Sequence, residues 1–206
     1  TVLQAAAKNI GADTLKTIQI SGTGWNAAVG QSSSPPEDWP RFAVTSYTKT
    51  IDYDARFSRE QITRGQGNYP PRGGGGTPIQ GEQRQDFILN GNYAWNVQGN
   101  APVPIVRAYL DGVSFAELRQ LDIWLTPHGF LKAAMAPGAN PTAVSWAPRG
   151  RRVTEVSFTA LGKYRVNGTI NDQNLLQYVQ TWIPNPVVGD MLYETRFENY
   201  RDFGCV

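Results

Sequence analysis

The side chains able to do covalent or acid–base chemistry are few in this sequence. There is one histidine, His128, and one cysteine, Cys205. A zinc site built on His128 would draw its other ligands from carboxylates, an uncommon donor set. A hydrolytic triad would use His128 as its base, yet no Ser or Cys stands in a nucleophile-elbow setting. His128 follows Thr126-Pro127, a cap with proline at the first helical position, so it falls in a helix first turn where the dipole disfavours an imidazolium. A structural histidine is the favoured reading. Acting on a ligand, it would do so as a neutral imidazole. One cysteine excludes an intrachain disulfide and a cysteine-rich metal site.

The remaining polar groups are no more concentrated. Asp52, Asp54, Glu60, Asp86, Glu117, Asp122 and their fellows are scattered, and no pair can be assigned a glycosidase geometry. Gly73–Gly76 lack the lysine and hydroxyl of a phosphate loop and no helix start follows, so they read as a flexible loop. Arg149, Arg151 and Arg152 crowd a predicted hairpin tip, a solvated turn by default, with an anionic partner as the alternative. Arg56, Arg59 and Arg64 share one strand without interleaved aromatics, which gives no support to single-stranded nucleic-acid binding. The net charge of +2 is too small to predict nucleic-acid or membrane binding. No apolar run is long enough to span a bilayer.

The aromatic supply is richer. Trp25, Trp39, Trp95, Trp124, Trp146 and Trp182 are spread over nearly every predicted element. They are either core residues of a large curved sheet or the lining of an apolar pocket. For a pocket, the candidate ligand-binding residues are Leu118, Leu121, Trp124, His128, Phe130 and Leu131 on two helices, with Trp95 and Trp182 from strands.

The elements that must position these residues follow from periodicity. Residues 161–203 read as an antiparallel meander: Tyr164, Val166 and Ile170 share one face, Val179 and Ile183 another opposed by Tyr178 and Trp182, and Met191, Tyr193 and Phe197 repeat the alternation. A short helix is predicted over 2–10, stopped at Gly11. A strand over 15–29 is interrupted by Gly22 and Gly24, which predicts a bulge or a close backbone approach. Strands over 41–53 and 56–64 form a hairpin, as do 84–89 and 93–97 across Asn90-Gly91. Residues 31–40, 68–81 and 98–104 read as loops. Ser114 with Glu117 forms a capping box for one helix. A second begins at Thr126-Pro127 and ends at Pro137-Gly138. Strands 144–146 and 153–160 enclose Pro148-Arg149-Gly150. The predicted fold is mainly β (α+β): a strongly curved antiparallel sheet or open half-barrel, its concave face covered by the N-terminal helix and an inserted helical pair. At 206 residues it makes a single domain, 1–206.

Four stretches carry a family resemblance: 72–84 (Arg-Gly-Gly-Gly-Gly-Thr-Pro-Ile-Gln-Gly-Glu-Gln-Arg), 124–134 (Trp-Leu-Thr-Pro-His-Gly-Phe-Leu-Lys-Ala-Ala), 158–174 and 181–191. They resemble the region preceding the hydrolase domain in exported bacterial metallo-β-lactamase-fold proteins. That resemblance implies a LolA/LppX-like lipoprotein-carrier half-barrel with a helical lid, and a periplasmic or secreted location. The His-x-His-x-Asp-His motif of the hydrolases is absent, so no metal residue carries over and no cofactor is expected in this chain; zinc would belong to a separate hydrolase domain. The chain would be truncated at its C-terminal edge, with a strand there open to a hydrolase domain or a second chain.

Two functions follow. The first is a non-catalytic N-terminal domain that docks on a hydrolase domain and shapes substrate access. The alternative is a stand-alone periplasmic carrier for a lipid or other apolar small molecule beneath its helical lid. No constellation in this chain supports an isolated enzyme.

Overall fold

The computed structural model describes residues 1–32, 34–68, 78–105, 108–110 and 112–202. The tetraglycine stretch Gly73–Gly76 and Cys205 lie outside them. Among the described residues the chain is mainly β with three α-helices, and neither of the two antiparallel sheets closes into a barrel. Two compact units emerge: Thr1–Lys16 with Tyr109–Val206, and Thr17–Ala108.

In the first unit, helix α1 (Val2–Asn9) is closed at its start by a capping box between Thr1 and Gln4. In the second unit, six strands run as a meander in sequence order: β1 (Thr17–Ala27), β2 (Arg41–Asp52), β3 (Phe57–Gly65), β4 (Gln83–Asn90), β5 (Tyr93–Gln98) and β6 (Ala101–Pro104). The first unit resumes with α2 (Phe115–Trp124), α3 (Pro127–Met135) and the five strands β7 (Thr142–Trp146), β8 (Val153–Ala160), β9 (Tyr164–Ile170), β10 (Leu176–Asn185) and β11 (Gly189–Arg196). Their sheet has the order β11-β10-β9-β8-β7.

Local chemistry explains the helix ends. Ser114 Oγ accepts the Glu117 amide at 3.1 Å, while the Glu117 carboxylate accepts the Ser114 amide at 2.7 Å. Thr126 Oγ1 accepts the Gly129 amide at 3.2 Å. Gly129 is required by proximity: a Cβ there would sit 2.0 Å from the Ile123 carbonyl oxygen, so a side chain would separate the end of α2 from the start of α3.

The helices bury one face of the five-stranded sheet. Leu3, Ala6 and Ala7 of α1, Leu121 of α2 and Phe130, Leu131 and Ala134 of α3 form one core with Val156, Phe158, Val166, Ile170, Val179 and Ile183. The strand residues alternate in sequence, as a strand packed on one side must. Gly168 lets Phe130 lie on β9: a Cβ there would meet the ring at 2.2 Å.

Two expectations need correction. Residues 98–104 are not all loop, because Ala101–Pro104 pairs with β5. Pro102 and Pro104 lack the N–H that a central strand would donate, but β6 is the sheet edge, where one side needs no donor. The β4–β5 turn is Gly91-Asn92 and not Asn90-Gly91, since Asn90 pairs with Tyr93. Gly91 takes φ +58 at the first central position, as a type II′ turn demands.

Candidate functional site

The residues picked out on the helices are brought together, but as filled core. Leu121 is 1% exposed and Phe130 and Leu131 are wholly buried. Leu118 and Trp124 are half-buried against the same core. His128 is half-buried on α3, with Nε2 3.0 Å from the Ile10 carbonyl oxygen. The ring donates there, so the Nε2-protonated tautomer ties α3 to the end of α1. Burial first, and Lys132 nearby, hold its pKa below the usual histidine range against the opposing effect of that hydrogen bond.

The strand tryptophans are elsewhere. Trp182 is 43% exposed and lies on the face of β10 opposite Thr181 and Ile183, away from the helices. Trp95 is half-buried in β5, paired with Ile88, in the other unit.

An open groove of about 500 Å³ lies beside the start of β10, lined by Leu175, Tyr178, Arg196, Phe197 and Tyr200 among others. Of its apolar lining, Leu176 belongs to the core at 1% exposure, while Leu175, Tyr178 and Phe197 are half-buried.

The six-stranded sheet offers a different surface. Its register places Ile18, Ile20, Gly22, Gly24 and Asn26 on one face of β1, opposite Ile51, Lys49, Tyr47, Val44 and Phe42 of β2. The register shifts between Gly22 and Gly24, as the glycines predict, but the extra residue is in β2. The same face continues through Ser58, Glu60, Ile62 and Arg64 of β3 to Leu89, Phe87, Gln85 and Gln83 of β4. Among the described residues, nothing lies within 4 Å of where a Cβ would stand on Gly22 or Gly24. The sheet is therefore floored by bare backbone at that edge, beside Ile20 at 37% exposure and the half-buried Tyr47 and Ile62.

Charges on this face are specifically placed. Lys49 is 6% exposed and pairs with Glu60 at 3.2 Å. Two rows along, Arg64 is half-buried with its guanidinium 5.2 Å from the Phe42 ring centroid. Burial pulls its pKa down. Arg59, on the opposite face of the same strand, binds Asp86 at 2.6 Å; the side-chain hydrogen bond and charge of Asp86 raise its pKa. Sequence reasoning grouped these arginines and missed that difference, which depends on which face each occupies.

Among the described residues, no group of three or more His, Cys, Asp or Glu is arranged to hold a metal ion, and no helix is long and apolar enough to cross a membrane.

Comparison with known proteins adds little. No family model matches the sequence, and no curated protein matches it. No family match supports a link to metallo-β-lactamase-fold hydrolases. Among solved structures, the chain is similar to LprF from Mycobacterium bovis, with 12% identity, 94% of this chain and 89% of that chain covered, and a TM-score of 0.31.

Proposed function

We propose that this chain is a non-catalytic carrier that holds a lipid or other apolar small molecule, works outside the cytoplasm, and uses residues 1–206 as one binding domain. One observation carries the reading: the glycine-floored edge of the six-stranded sheet, where among the described residues Gly22 and Gly24 leave open space beside exposed Ile20. Apolar surface left open next to bare backbone is what an apolar guest displaces water from. The helix residues Leu118, Leu121, Trp124, His128, Phe130 and Leu131 then support the fold.

The test is direct. The intact chain is titrated with the apolar fluorophore N-phenylnaphthylamine. Saturable enhancement is expected, and Gly22→Leu abolishes it without altering the far-ultraviolet circular dichroism, because its side chain enters empty space. No saturable binding by the unaltered chain, or unaltered binding by Gly22→Leu, defeats the proposal.

A second reading, a domain that docks on a zinc hydrolase domain or another chain, is favoured by β11, which pairs only with β10 among the described residues. It predicts that β11 amides not facing β10 exchange more slowly in the source protein than in the isolated chain; equal rates in both would remove it.

A further inference from the structure

Arg64 differs from the ion-paired cations of the two sheets and, being half-buried, from the exposed Arg84 and Arg165. Lys49 is matched by Glu60, Arg59 by Asp86 and Arg196 by Glu194. Among the described residues Arg64 has no carboxylate partner. Its hydrogen bonds go to neutral amide oxygens: Nε and Nη2 donate to Gln83 Oε1 at 3.1 and 3.0 Å, and Nη1 donates to Asn26 Oδ1 at 3.5 Å. A guanidinium carries five N–H hydrogens. Three are engaged, one of them weakly, which leaves two, one on Nη1 and one on Nη2.

The surroundings make those two hydrogens valuable. Arg64 stands across from Val44, whose other neighbour is Gly24. Phe42 and Val44 are 6% and 8% exposed, so the guanidinium is set in apolar surface. A half-desolvated cation without a counter-charge favours an incoming anion more strongly than a solvated one does. From Gly24 the open floor runs back through Gly22 to Ile20, four residues or about 13 Å along the strand.

We infer that Arg64 is the head-group receptor of this face and that its ligand is a long-chain carboxylate, the acid group on the guanidinium and the chain along Gly24, Gly22 and Ile20. The inference rests on the carrier reading and names its ligand class. Two free hydrogens on one planar group match the two oxygens of a carboxylate. A phosphate dianion would call for a second cation, and Lys49 is already committed to Glu60.

Isothermal titration of the intact chain with palmitate and with methyl palmitate, both below their aggregation concentrations, separates head-group recognition from chain binding. The acid binds the unaltered chain on the order of 10- to 100-fold more tightly than the ester, the range set by charge-assisted hydrogen bonds. Arg64→Gln lowers acid affinity to that of the ester and leaves the ester unchanged; Arg64→Lys recovers part of the preference. Equal affinity of acid and ester for the unaltered chain overturns the inference, as does an Arg64→Gln variant that keeps the preference, and in either case the carrier reading stands. Failure of both ligands to bind removes the inference and the carrier reading together. The acid–ester comparison needs no variant, so it decides even if Arg64→Gln does not fold.

Discussion

Replacing Gly168 by alanine asks whether the space between the helices and the five-stranded sheet is filled or able to admit a guest. The added Cβ would lie 2.2, 2.5 and 2.6 Å from Cζ, Cε1 and Cε2 of Phe130. Carbon atoms rest at about 3.5–4.0 Å, so the ring must retreat by roughly 1.3 Å. Phe130 has no exposed surface, and its ring already leans on Phe158 with centroids 5.6 Å apart. Overpacking of this kind costs about 1–3 kcal/mol. For a chain of this size each kcal/mol lowers the unfolding midpoint by about 2–4 °C, giving a fall of roughly 2–12 °C by scanning calorimetry. Gly22→Ala is the control: its methyl meets none of the described residues within 4 Å and should be neutral or stabilising by about 0.4–1 kcal/mol through the unfolded chain. Combining Gly168→Ala with Phe130→Leu should cost less than the two changes summed, because the smaller side chain releases the clash. A Gly168→Ala midpoint matching that of the unaltered protein, or strict additivity with Phe130→Leu, would refute the packed interface and return the helix residues to consideration as ligand lining.

Two titrations follow from the same packing. Burial lowers the His128 pKa, so the unfolded chain binds its proton first as pH falls; stability is full above the unfolded value of about 6.5 and declines as pH drops through it, down to the folded value. His128→Gln should flatten the pH dependence of the unfolding midpoint between about pH 7 and 5, and an unchanged slope would contradict this. Tyr200 keeps 37% of its surface exposed but turns its hydroxyl inward to donate to the Leu176 carbonyl at 3.0 Å, and burial pushes its pKa up to about 12. Its stabilising share is present below the unfolded value of about 10 and is lost as pH rises from there towards 12, so one tyrosine should ionise late in an ultraviolet titration and Tyr200→Phe should remove that late step.

What could be known from the sequence was local. The Ser114–Glu117 box, the Thr126-Pro127 start and the alternation of Tyr164, Val166 and Ile170 depend on neighbours within a few residues, and the structure realises each of them. Residues 98–104 read as a loop, and Pro102 and Pro104 cannot donate to a neighbouring strand; only the place of β6 at a sheet edge accommodates them. Trp124 and Trp182 looked like equal candidates for one pocket; the pleat of β10 sends Trp182 to the face away from the helices. Arg59 and Arg64 are five positions apart on one strand, an odd spacing that puts them on opposite faces. Which arginine stands beside a carboxylate, and which stands near Phe42 in the row of Gly24, is set by pairing with strands up to forty residues away in sequence. Short-range hydrogen bonding and periodicity write the elements into the chain. Register between distant strands decides which charges are answered and which are left open, and no single segment carries that information.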